Sequence, residues 1–203
     1  MNEIVLILDL DGVITSLNVD WTTVREEVSR RVGFRVESML EFWEKYFNTE
    51  LFNLANEIVE RYEFESIIKA KPYDDVKIAF QSFNGLIYLA SMQSEKVLSI
   101  FLQKHGLRDY FKEVLGRERF GSKLRQVRYI IDKEDAGRII FVDDSRRNIS
   151  SCQALGIKCI LFNRRAGDSL LRLINSLTHL NVKGEIRYNA KIKSQQNTLN
   201  SRK

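Results

Sequence analysis

The sequence predicts an α/β fold, a parallel sheet with helices on both faces, interrupted after its first strand by a small all-helical unit. Short apolar runs, β-branched in part, recur at residues 3–8, 86–91, 138–142 and 157–162. Such runs fill buried parallel strands. Capped helical patterns lie between the later runs, and strands that alternate with helices pair in parallel. Residues 18–70 break the rhythm with four helical stretches, about 21–32, 37–47, 50–61 and 63–70, and no clear strand.

The first run, EIVLIL, ends in Asp9-Leu10-Asp11-Gly12. Its apolar part, Ile4 to Leu8, is five residues long. A membrane span needs roughly 20 apolar residues, and a signal peptide needs a basic start and a longer apolar stretch. A cytoplasmic protein is the expectation. The helical insertion follows, with nine aromatic residues among its 53 and a net charge of −4. Most of these aromatics are expected to pack, because so small a bundle needs large side chains to build a core. The next strand, Leu86–Ser91, leads to Ser94, a cap for a helix carrying Val97, Leu98, Phe101 and Leu102, with Gly106 as its stop. Lys123 heads the helical pattern Leu124–Ile131. Arg138–Val142 runs into Asp143-Asp144, and Asn148–Leu155 is a helix closed by Gly156. The strand Ile157–Phe162 and the helix Asp168–Leu180 complete the pattern. The expected division is a core of residues 1–17 and 71–181, a helical cap of 18–70 and a basic, flexible tail of 182–203.

Composition sets outer limits. A chain of 203 residues, 44% hydrophobic and 29% charged, is an ordinary soluble domain with room for an insertion. Two cysteines, Cys152 and Cys159, exclude a disulfide scaffold and suit a reducing compartment. Collagenous and coiled-coil classes are excluded as well. The single proline, Pro72, has no functional reading. The net charge of +5 lies wholly in residues 182–203, which hold six Lys or Arg and one acid, Glu185. Such a tail can touch RNA or acidic lipid, but its ordinary reading is a solvated end, so nucleic acid is not the expected partner.

Four short features carry chemistry. Asp9 and Asp11 leave the carboxyl end of a strand together, and like charges so placed call for a cation or a proton between them. Gly12 permits the tight turn and close backbone approach that such a site needs. Ser91 ends the second strand with a hydroxyl able to donate to a phosphate oxygen. Lys123 supplies a cation that can hold an anion or steady a carboxylate. Asp143 and Asp144, beyond another strand, offer hard oxygens suited to Mg²⁺, although Asp144 or Ser145 also suits a helix N-cap. Taken singly, each has an ordinary structural explanation.

Taken in order, D-L-D-G-V, strand-S, G-S-K and strand-D-D-S resemble the four motifs of the haloacid dehalogenase-like superfamily. The separations are similar, with 32 residues from Ser91 to Lys123 and 20 more to Asp143. The flanks KPYDDVKIAFQSF, HGLRDYFKEVLG and LGIKCILFN agree, and the likeness spans residues 3–165. It implies a Rossmann-like core with a helical cap inserted after the first motif, and Mg²⁺-dependent phosphoryl transfer from a small phosphorylated substrate. Asp9 would be the nucleophile that forms an aspartyl-phosphate, and Asp11 the acid and then the base. Ser91 and Lys123 would bind the phosphoryl oxygens, with Gly12 in the same turn. Asp9, Asp143, Asp144 and the backbone carbonyl of Asp11 would hold the metal. An acid at position 11 favours phosphoryl transfer over carbon–halogen cleavage, since halide leaves unprotonated. Met92 and Asn148 depart from the family pattern, which often has a small polar residue and another acid there.

Four other readings compete. A receiver domain would need a phosphorylatable Asp ending its third strand and would have no insertion after its first. A catalytically silent binding protein that used the basic tail would keep two facing carboxylate pairs at a cost. A phosphomutase would use the same residues as a phosphatase. A phosphonate-cleaving enzyme would need a cap lysine, and the insertion offers Lys45 and Lys69. The substrate is not legible. The insertion offers Arg25, Arg31, Arg35, Trp43 and Tyr46 as candidates to contact it.

Overall fold

In a computed structural model, residues 4–134 and 138–183 are described. Five parallel strands form one sheet: β1 (Ile4–Leu8), β2 (Leu86–Ala90), β3 (Glu113–Leu115), β4 (Arg138–Asp143) and β5 (Lys158–Leu161). Their order is β3-β2-β1-β4-β5, so β1 is central and the order reverses between β1 and β4. Ligands of such sheets bind at that reversal, beyond the carboxyl ends of the strands.

The alternation of side chains along β1 builds both cores. Ile4, Leu6 and Leu8 join one cluster while Val5 and Ile7 join the other. The helices number from α1 (Trp21–Val32), α2 (Met39–Lys45) and α3 (Glu50–Ile67) in the insertion to α4 (Val76–Ser82) and α5 (Glu95–Lys104). They continue through α6 (Arg117–Phe120), α7 (Lys123–Lys133), α8 (Arg146–Gln153) and α9 (Leu170–Lys183). Side chains of α4, α5 and α9 cover the first face of the sheet, and those of α7 and α8 cover the second.

Helices α1 to α3 have a core of their own, built on Val24, Val28, Phe42, Trp43, Phe52 and Val59. Met92, from the loop after β2, joins it. Packing accounts for most of the aromatics there, with Phe34 and Phe64 left exposed.

Several expectations are corrected. The stretches 50–61 and 63–70 are a single helix, α3, because neither Gly nor Pro interrupts residues 50–67. Strand β3 is only three residues long, too short to show a period, and α4 and α6 were likewise not anticipated. Helix α9 runs to Lys183, two residues into the stretch read as a tail. The remainder of that tail, 184–203, lies outside the described residues. No helix among the described residues is long and apolar enough to cross a membrane.

Candidate active site

The register brings the ends of three strands together. Leu8 pairs with Leu89 on one side and Val142 on the other, so Asp9 and Asp143 follow side by side and Ser91 comes one residue further along the edge. The Asp9 backbone N–H continues the ladder to the Val142 carbonyl at 3.0 Å. Ser122 caps α7, and Lys123, in the first turn, reaches back into this edge. Its ammonium donates to Asp9 Oδ1 at 2.8 Å, pairs with Asp143 Oδ2 at 3.3 Å, and donates to the Ala90 carbonyl. Burial works against the Lys123 charge, yet Asp9 and Asp143 hold its pKa above the ordinary value.

Asp9, Asp143 and Asp144 each present a carboxylate oxygen within 4.8 Å of the others. Three negative charges against one ammonium leave a deficit of two, and the donors are all hard oxygens. That set fits a small divalent cation of the Mg²⁺ type. Gly12 completes the cradle: its φ is +74°, and a methyl group built there would overlap the Asp144 carboxylate. Desolvation pushes Asp144 up to about 6, with repulsion from Asp9 and Asp11 adding to it. Burial raises Asp143 as well, against the pull of Lys123. Asn148 donates its amide to both Asp143 oxygens, at 3.1 and 3.0 Å, and the Ser145 N–H adds a third bond at 2.8 Å. Ser145, not Asp144, caps α8.

Asp11 stands apart from that trio. Its Oδ1 accepts from the Leu17 backbone N–H at 2.7 Å. Desolvation, and then Asp9, push it up to about 6 against that bond. Ser91 is buried at the end of β2, and its hydroxyl donates to Gln93 Oε1.

The loop from Ser91 to Ser94 is pinned at every residue. Gln126 donates to the Ser91 carbonyl at 2.8 Å, and Arg117 Nη1 to the Met92 carbonyl at 3.0 Å. The Arg117 backbone N–H reaches the Gln93 carbonyl at 3.2 Å, and Glu63 Oε2 accepts from the Ser94 N–H at 3.2 Å. Arg117 and Glu63 are a fully buried ion pair at 2.7 Å, which bolts α3 of the insertion to this loop.

A cavity of about 320 Å³ opens over Asp9. Asp11, Lys123, Asp144 and Asn148 form its floor, and Trp21, Arg25, Met39, Trp43 and Met92 are among its walls. Of the insertion residues singled out in the sequence, Arg25 and Trp43 line it, while Arg31, Arg35 and Tyr46 do not. Neither Lys45 nor Lys69 is among the lining residues, so nothing here favours phosphonate cleavage. Trp21 and Met39 were missed because aromatic and apolar positions of a small bundle read as core, and Gln93, a lone amide in the loop after β2, gave no signal. Arg117 gave no signal, since R-E-R reads as a solvated face.

The sequence profile of the haloacid dehalogenase-like hydrolases matches residues 6–162, a span that includes all four of the short features. The chain belongs to this hydrolase family. No curated protein matches the sequence. Several solved structures share the haloacid dehalogenase-like fold. A protein from Clostridium acetobutylicum described as a predicted phosphatase is 15% identical, with TM-score 0.61 over 89% of this chain and 100% of that one. A Haemophilus somnus protein described as a predicted phosphoglycolate phosphatase is 16% identical, with TM-score 0.58 over 84% and 96%. A haloacid dehalogenase superfamily hydrolase, subfamily IA, from Geobacter sulfurreducens is 16% identical, with TM-score 0.55 over 85% and 95%. At such identities the likeness is one of fold.

Proposed function

We propose that this hydrolase is a Mg²⁺-dependent phosphatase acting on a small phosphorylated metabolite through an aspartyl-phosphate. The observation that carries the reading is Asp9 at the end of the central strand, held by Lys123 and grouped with Asp143 and Asp144 within 4.8 Å. Phosphatase descriptions among the structural neighbours support it.

In this reading an Asp9 oxygen bonds to phosphorus as the ester oxygen departs with a proton from Asp11. Asp11 then takes a proton from water, whose oxygen bonds to phosphorus and releases Asp9 and inorganic phosphate. A pKa near 6 suits both duties near neutral pH. Lys123 orients the nucleophile and offsets charge on the phosphoryl oxygens, and the Gly12 turn and Ser91, its hydroxyl turned from Gln93 to the phosphate, complete their binding. Asp9, Asp143, Asp144 and the Asp11 carbonyl would hold Mg²⁺, which supplies charge neutralisation at the phosphoryl group. Residues 18–70 act as the cap over a core of 1–17 and 71–181.

The test is phosphate release from a panel of phosphorylated metabolites, with and without chelator, beside Asp9→Asn. Chelator is expected to abolish turnover, and the substitution to lower it by at least ~10³-fold. Turnover that survives Asp9→Asn, or none from folded, Mg²⁺-loaded protein, would overturn the reading.

A further inference from the structure

We infer that the ester accepted here carries a flat, unsaturated group beside its phosphate, not a polyhydroxylated one. The inference rests on the phosphatase reading and deepens it. With the phosphate placed over Asp9 and Lys123, the rest of the substrate faces the insertion side of the cavity. Trp21 presents a half-buried indole there, and Met39, Trp43 and Met92, 7%, 2% and 9% exposed, close the wall behind it. Arg117 lies over the Trp43 ring, 5.0 Å from its centroid, and holds it in place. Indole faces and thioethers suit a π-system.

Several acceptor atoms of the same wall are already engaged, while the Ser38 and Ser145 hydroxyls and the Gln93 amide keep their donors. Ser38 caps α2 and also accepts from Arg147 at 3.4 Å. Gln93 accepts from Ser91, and Ser145 accepts from the Asn148 N–H. The Asn148 amide serves Asp143. Glu37 is paired with Arg35 at 3.3 Å. A sugar moving in would shed water from several hydroxyls and, against the apolar part of the wall, re-pair only those that reach Ser38, Gln93, Ser145 or Glu37, which costs free energy at each one left over. An aromatic group loses little water and gains the walls. Arg25, half-buried at the rim, can stack on such a ring or meet a polar edge.

Both tryptophans of the chain line this cavity, so intrinsic fluorescence reports its occupancy directly. Benzyl phosphate and glucose 6-phosphate both release a primary alcohol, which matches the chemistry of the leaving group. Asp9→Asn protein in Mg²⁺ is titrated with benzyl phosphate, and glucose 6-phosphate is measured by displacement. The wild type is assayed on both esters. The expected result is at least a tenfold lower Kd and tenfold higher kcat/KM for benzyl phosphate. Trp21→Ala, or Met92→Ala should the first not fold, is expected to shrink the kcat/KM ratio at least threefold.

Turnover of both esters with equal or reversed preference would sink this inference and leave the phosphatase reading standing. A binding preference for benzyl phosphate without hydrolysis of either ester would do the opposite. Neither binding nor turnover would remove both.

Discussion

Gly12 and Asn148 show how single atoms decide whether the carboxylates can coexist. Gly12 holds a left-handed φ that costs other residues about 1–2 kcal/mol, and any side chain there would strike Asp144. Gly12→Ala is therefore expected to lower turnover at least ~10-fold and raise the Mg²⁺ concentration for half-maximal rate, read by metal titration of activity. Asn148→Asp replaces two donated hydrogen bonds to Asp143 with a second buried negative charge. The metal-free protein should lose about 1–3 kcal/mol in urea unfolding, and Mg²⁺ should restore part of the loss. These residues also mark what the sequence disclosed. Asp9, Asp11, Lys123, Asp143 and Asp144 were legible because strand ends and spacing betray them. Asn148 was visible only as a departure from the family pattern, since its role lies in where its amide points.

Among helices and loops, the insertion is joined to the sheet by contacts of unequal worth. Lys96–Glu60 and Arg147–Glu41 are largely exposed, and such pairs give about 0–1 kcal/mol. Arg117–Glu63 is wholly buried, and breaking such a pair by removing one partner costs about 3–5 kcal/mol. Glu63→Gln and Arg117→Met should each lose stability on that scale in denaturant unfolding. The double variant Arg117→Met with Glu63→Leu should recover much of it, because neither charge is then stranded. Arg147→Ala should lose less than about 1 kcal/mol. None of this could be read from the chain, since a charged residue looks the same in a sequence whether water or a partner surrounds it. The strands were legible for the converse reason: a run such as Ile4–Leu8 has few places to go but the interior, whereas three residues of β3 show no period.

For the molecule as a whole, clustered carboxylates link stability to pH and metal. Asp11 and Asp144 are raised from 3.8 to about 6, so the folded state binds their protons more tightly than the unfolded chain does. Their ionisation penalty is full above pH 6 and is relieved as pH falls from about 6 to 4. Asp75 works the other way. Although partly buried, it is held below 3.8 by Arg164 and Ser169, and its contribution is lost only at lower pH. Mg²⁺ competes with the protons of the cluster, so the rise in Tm it produces should be larger at pH 7.5 than at pH 5. Differential scanning fluorimetry at the two pH values checks this, and an equal rise at both would count against metal at these carboxylates.

The central place of β1 also has a consequence for synthesis. Asp9 ends the first strand of the sheet, yet the carboxylates beside it arrive 134 residues later in the chain, at the end of β4. Lys123, which orients it, is nearly as late. A nascent chain thus carries Asp9, the proposed nucleophile, through all of that interval without the charges that would surround it. Gathering the cluster and pairing β4 with β1 become the same event.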